Sequence, residues 1–316
     1  MDSFIFSLNS TIPIFLVIVL GYVLMRNGFF TGEFVRIADK YVFKVALPVL
    51  LFKQIATADI HSDFDIRFVL FCMISTTLMF GGVWAGARIF LKDKRMTGAF
   101  AQAAARGSAA ILGIAFIENI YGSSGMGPLM IVSAVPLYNI YSVIILTFGA
   151  SDRQCREASG KIKKTLLGIV KNPIIIGIFL GLPFSIAGIQ IPTIPMKAIT
   201  SVSQTATPVA LLVVGAGFQG KQAVAKLGPA FAAAFIKLVG LPLIFLPAAL
   251  ALGFRNEALV AIIIMLGSPT TVTCYIMAKN MKNDEVLTSS VVVLSTLLSS
   301  LTLTGWIFLM RSQGWI

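Results

Sequence analysis

Read from the first residue to the last, the chain alternates apolar stretches of helical length with short polar connections. Ten such stretches lie near residues 10–25, 41–57, 67–91, 99–120, 126–149, 165–186, 199–218, 228–252, 258–279 and 286–310. About 20 apolar residues cross a bilayer as a helix, so the pattern predicts ten transmembrane helices. None of the stretches shows the alternating pattern of an outer-membrane barrel. The opening MDSFIFSLNS has no basic n-region and no small-residue cleavage site, so the first stretch reads as a retained span rather than a signal peptide.

The second half of the chain repeats the first at a constant offset of 160 residues. Pro13, Leu20 and Gly21 fall on Pro173, Leu180 and Gly181; Ala46, Pro48, Val49 and Leu51 fall on Ala206, Pro208, Val209 and Leu211; Gly107-Ser108 falls on Gly267-Ser268. A constant offset requires every element between the matches to keep its length. The division is therefore two five-helix repeats, 1–157 and 158–316, joined through the polar segment SDRQCREASGKIKK.

Composition excludes a soluble domain: 57% of residues are hydrophobic and 12% charged, with a mean hydropathy of +0.90. A net charge of +12 would suggest nucleic acid in a soluble protein, but its placement has another cause. The odd-numbered connections hold fifteen Lys and Arg residues; the even-numbered connections and the termini hold four, Arg67, Lys197, Arg255 and Arg311. By the positive-inside rule both termini lie outside the cell's inner (cytoplasmic) membrane. Five is an odd number, so the second repeat enters the membrane inverted relative to the first, a construction common in secondary transporters. The fold class expected is an all-α integral membrane protein with ten transmembrane helices in two inverted five-helix repeats.

Candidate chemistry lies where spans break the rule against polarity, since an unpaired polar group in hydrocarbon costs several kcal/mol. The fourth span, GAFAQAAARGSAAILGIAFIEN, and the ninth, ALVAIIIMLGSPTTVTCYIMAK, carry Gly-Ser at equivalent positions. Pro269 removes a backbone donor, Ser268 is a good N-cap, and proline suits the first helical position, so a new half-helix is expected to start near Pro269. Gly107 and Ser108 permit a similar break. Counted at 1.5 Å per residue from the span ends, the two breaks lie roughly 12 and 16 Å deep, near the middle of the bilayer. Inverted half-helices would aim their N-termini at one another and form an anion site. The alternative is two kinked helices packed by small residues.

Arg106 adjoins the first break, and none of the thirteen carboxylates falls mid-span; Glu118 is the nearest on the same helix. Either a carried anion supplies the missing charge or Arg106 snorkels to the headgroups. Further candidates to orient a substrate are Tyr138 and Asn139 after Pro136, and Thr270, Thr271 and Thr273 after Pro269. Gln54, Lys53 and Ser299-Ser300 rank lower. Lys44, Lys53, Arg88, Lys171 and Lys237 read as near-interface snorkelers. Cys72, Cys155 and Cys274 have spacings that indicate neither a disulfide framework nor a metal site. Gly122-Ser123-Ser124-Gly125 spells a GxSG protease motif, but a serine nucleophile needs a base, and His61, the only histidine, lies in an outer loop. With no His/Cys cluster and no phosphate-cradling loop, no enzyme activity, metal or cofactor is expected.

ALPVLLF in the second span, PLYNIYSV in the fifth, TATPVALLVVGAGF in the seventh and GSPTTVTCYIMAKNM in the ninth, in this order over the whole chain, resemble the auxin efflux carrier family. Its bacterial branch includes permeases for malate and malonate-like acids. The resemblance implies that spans four and nine cross as broken helices beside the substrate, involving here Gly107, Ser108, Pro269 and Thr270. It also implies that spans one, two, six and seven form a scaffold, often dimeric, against which the other spans move as an elevator. Plant members carry Asn-Pro at both crossings, whereas this chain has Gly-Ser and Ser-Pro, which favours a small organic acid over auxin. The function expected is secondary transport of a small organic anion, mono- or dicarboxylate, by alternating access. A passive anion channel and a proton- or sodium-coupled symporter of the same substrates remain open. The partners expected are the anion and membrane lipid, with a homodimer through spans one, two, six and seven and no nucleic acid. The substrate site comprises Arg106, Gly107, Ser108, Tyr138, Asn139, Ser268, Pro269, Thr270 and Thr271.

Overall fold

The structure is a computed structural model that describes residues 2–57, 65–109, 117, 120–121, 126–149, 171–218 and 226–316. The central polar segment with Cys155 and the boundary between the repeats, the GxSG motif, His61, Glu118 and residues 110–116 of the stretch after Ser108 lie outside these residues.

Among the described residues the chain is helical throughout: α1 (Asp2–Arg26), α2 (Gly32–Tyr41), α3 (Leu47–Ala56), α4 (Ile66–Phe90), α5 (Thr97–Ala105), α6 (Gly127–Gly149), α7 (Pro173–Ile186), α8 (Thr193–Ala216), α9 (Leu227–Phe235), α10 (Leu241–Ala251), α11 (Asn256–Gly267), α12 (Thr273–Asn280) and α13 (Glu285–Ser312). Five helical stretches of these residues are long and apolar enough to cross a membrane: Ile66–Phe90, Leu129–Gly149, Thr193–Ala216, Leu227–Ala251 and Glu285–Ser312. Phe15–Arg26, Pro173–Ile186 and Asn256–Gly267 are shorter apolar helices.

Two π-helical turns, Val42–Ala46 and Ile236–Gly240, join α2 to α3 and α9 to α10. Each ends immediately before a Leu-Pro pair, Leu47-Pro48 and Leu241-Pro242. A proline ring clashes with the carbonyl four residues back and gives it no hydrogen bond, and a locally widened turn relieves both problems without ending the helix. Asn172 caps α7 by accepting the Ile174 N–H at 3.0 Å, with Pro173 at the first helical position. α8 begins at Thr193, six residues before the apolar stretch 199–218, with Pro192 preceding its first turn.

Glycines set the closest helix contacts. α1 lies on α8 with Gly21 against the backbone of Leu212 and Gly215 against the Ile18 carbonyl; α3 lies on α7 with Gly177 against Pro48 and Gly181 against the Phe52 carbonyl. Backbones approach this closely only where no Cβ intervenes. Phe52 and Phe184 close the second pair edge to face, 5.5 Å apart. α4 packs on α5 and α6, and α13 on α1 and α9. In contrast to these helices, which expose apolar flanks, α5 and Leu259–Gly267 of α11 are entirely buried. Interrupted backbone inside a membrane protein needs that enclosure, because lipid satisfies no N–H or C=O.

Candidate functional site: the crossing of two interrupted helices

α5 stops at Ala105 and α11 at Gly267, and the two chain segments that follow pair with each other. Arg106 turns extended (φ −87°, ψ 117°), Gly107 forms an antiparallel bridge with Thr270, and the Ser108 N–H donates to the Pro269 carbonyl at 2.9 Å. Thr270 Oγ1 donates to the Ala103 carbonyl at 2.8 Å, and the Thr270 N–H donates to Ser295 Oγ at 3.0 Å. The orphan groups left by two broken helices thus satisfy one another.

This pairing corrects the expected start of the second half-helix. Ser268 is not an N-cap: it ends α11 in an extended conformation (φ −68°, ψ 152°), as a residue before proline prefers, and α12 begins only at Thr273. The cause is tertiary. Pro269 and Thr270 are held in the bridge to the other segment, so the chain stays unwound until it has left the crossing.

Arg106 does not snorkel. It is 4% exposed, and its guanidinium donates to Asn139 Oδ1 at 2.7 Å, Ser142 Oγ at 3.3 Å and Met277 Sδ at 2.9 Å. Asn139 Nδ2 donates to the Val135 carbonyl at 2.8 Å, which directs its oxygen to the arginine. Among the described residues Arg106 forms no ion pair. A neutral amide, a hydroxyl and a thioether orient the cation and leave its charge uncompensated.

That charge borders a small cleft between the crossing and α3. Leu47, Leu50, Leu51 and Val135 make its apolar side. Arg106, Ser108, Thr271, Thr273 and Gln54 make its polar side. Of the nine residues expected at the site, Arg106, Gly107, Ser108, Tyr138 and Thr271 line this cleft; Ser268, Pro269 and Thr270 lie behind it in the crossing, and Asn139 lies behind Arg106. Tyr138 directs its hydroxyl to the Met265 carbonyl at 3.0 Å, so it borders the cleft with its ring. Ser299 and Ser300 turn their hydroxyls to their own helix, and Ser295 takes the contact with the crossing.

The residue that sequence reasoning misplaced is Lys237. It is fully buried, and its ammonium donates to the carbonyls of Met265, at 3.1 Å, and Leu266. Lys44, Arg88 and Lys171 are exposed, and Lys53 is half-buried. Lys237 differs from them in position: it lies ten residues into the stretch Leu227–Ala251, too deep for a headgroup, and faces the end of α11. Cys72 and Cys274 are buried free thiols, and among the described residues no cluster of His, Cys, Asp or Glu could hold a metal ion.

Residues 6–307 match the model of the membrane transport protein family. The chain belongs to this family. It is the auxin efflux carrier family of the sequence resemblance, and its members are transporters, so the chain is a multi-pass membrane protein and not an enzyme. It is 24% identical to an "Uncharacterized transporter" of Methanothermobacter thermautotrophicus, covering 96% of this chain and 98% of the relative. It is 23% identical to the "Uncharacterized transporter YfdV" of Escherichia coli K12, covering 97% and 98% respectively. A third relative, 26% identical and covered to 95% on both sides, is the "Putative malonate transporter" of Rhizobium meliloti.

Proposed function

We propose that this family member is a secondary carrier of a small organic anion, working by alternating access around the crossing. The observation that carries the reading is Arg106: a buried guanidinium, held in place by neutral partners and without a carboxylate partner among the described residues, on the wall of a cleft. A buried cation is tolerated where a partner or a cavity receives it, and here the carboxylate of the cargo completes the pair. Ser108, Thr271, Thr273 and Gln54 supply hydrogen bonds to the cargo, and Leu47, Leu50 and Leu51 cover its carbon skeleton. Asn139 acts through Arg106 as a positioning residue. The relative named as a malonate transporter supports a carboxylate as the class of cargo.

The same reading includes ten spans in two inverted repeats, 1–157 and 158–316. Element lengths support it. Ile66–Phe90 and Leu227–Ala251 are each 25 residues long and start 161 positions apart (227 minus 66), while Thr97 and Asn256, which open α5 and α11, are 159 apart. The glycine-paired helices α1, α8, α3 and α7 form the scaffold, whose outer apolar residues, such as Leu16, Leu20, Phe179 and Leu180, serve a homodimer or lipid. The distribution of Lys and Arg supports an inner-membrane orientation with both termini outside.

Reconstituted protein is expected to show saturable uptake of a labelled carboxylate such as malonate, accelerated by unlabelled acid on the opposite side, with Arg106→Ala reducing uptake at least about 30-fold and Arg106→Lys less. Single-channel currents without saturation, or full uptake by Arg106→Ala, would contradict the proposal.

A further inference from the structure

Lys237 has a binding geometry of its own. The carbonyls that receive its ammonium, Met265 and Leu266, belong to the last turn of α11, where the helix leaves oxygens without N–H partners and presents its negative end. Tyr138 Oη adds a donor to the Met265 oxygen. Beside them the Ser268 hydroxyl is fully buried with no hydrogen-bond partner among the described residues. Lys237 and Ser268 pack against the same residue, Gly107: a Cβ there would collide with Ser268 Oγ and lie 2.9 Å from Lys237 Nζ. Main-chain carbonyls at the end of a half-helix, together with a hydroxyl, are the oxygen types that hold coupling cations in broken-helix transporters. With neutral oxygens only, such a group suits one positive charge, since divalent ions take carboxylates as ligands.

We propose that Lys237 is the tethered occupant of a monovalent-cation site at the crossing, so that transport needs no sodium ion, and that removing its side chain opens this site to Na+. The functional half of this statement rests on the carrier reading above; the site itself does not. The lysine stem reaches the site from the π turn Ile236–Gly240, whose widened backbone turns residue 237 toward α11. Its charge then offsets the negative ends of the carbonyls without an ion from solution.

The test compares thermal unfolding of the purified full chain in equal concentrations of sodium, methylammonium and choline chloride. The wild type is expected to melt at one temperature in all three. Lys237→Ala is expected to melt lower in choline and to recover by roughly 2–4 °C, saturably, in sodium or methylammonium. Lys237→Met, which keeps most of the packing of the stem, carries the same comparison if the alanine variant does not fold. A variant that melts identically in the three salts would overturn the proposal, as would a wild type stabilised by sodium or showing sodium-dependent uptake. Absence of any carboxylate uptake by the wild type would count against the carrier reading, whereas the melting comparison decides the cation site.

Discussion

At residue scale the account depends on how Arg106 is held. Its 2.7 Å bond to Asn139 is the shortest of its three, and Asn139 is itself fixed by the Val135 carbonyl. Asn139→Asp keeps the shape and adds a carboxylate at that distance, so an internal ion pair replaces the one the cargo would make. Half-maximal uptake is then expected to require at least about tenfold more carboxylate, with little loss of thermal stability; an unchanged concentration dependence would remove Arg106 from the charge balance. That a cation sat mid-span without an acid was legible in the residues themselves. Its partners were only half legible: Asn139 stood out as a polar residue in an apolar span, but Met277 is an ordinary apolar choice until the fold places its sulfur beside a guanidinium. Lys237 was illegible for a related reason. A long flexible side chain in an apolar helix can reach water or turn inward, and only the end of α11 opposite it decides which.

At the scale of elements, the positions of both interruptions follow from punctuation residues at a constant offset, Gly107-Ser108 and Gly267-Ser268-Pro269. What local rules could not give is the bridge between them. Ser-Pro read alone is a helix start, yet the Ser108 N–H and the Ala103 carbonyl claim Pro269 and Thr270 and delay α12 to Thr273. The close pairs α1–α8 and α3–α7 were marked by Gly21 and Gly181, which match at the 160-residue offset, whereas Gly215 and Gly177 gave no such signal. Gly215→Ala would place a methyl group into the Ile18 carbonyl, so thermal unfolding is expected to shift down by the equivalent of about 1–3 kcal/mol. Gly305→Ala, where nothing lies within 4 Å, is expected to leave stability unchanged or raise it slightly. Equal effects of the two substitutions would refute the close α1–α8 contact.

For the whole molecule, the question is what ties the helices outside the crossing to it. Asp39 of α2, in the amphipathic segment before the second apolar stretch, meets Lys279 of α12 at 3.9 Å, and Lys279 also lies 4.0 Å from Glu285 of α13. Burial raises the Asp39 carboxyl to about 6, with Lys279 only partly offsetting it and Glu285 adding to the rise. Since a free Asp titrates near about 3.9, the native state binds more protons than the unfolded state between roughly pH 4 and 6, and stability must fall as pH rises through that window. Asp39→Asn should flatten this dependence and melt higher than the wild type at pH 7–8; a wild-type stability that rises between pH 4 and 6 would contradict the burial of Asp39. The contact links α2, which leads into α3, to the helix that leaves the crossing, so it must change if the two move relative to each other.

The central claim is that an organic anion binds at the crossing by completing the charge of Arg106. Equilibrium binding, measured by titration calorimetry of purified wild type and Arg106→Ala against a panel of mono- and dicarboxylates, tests it most directly. The account predicts saturable binding of at least one acid to the wild type, weakened at least about tenfold in Arg106→Ala at comparable thermal stability. An acid that the wild type transports and that binds both proteins equally well would contradict it.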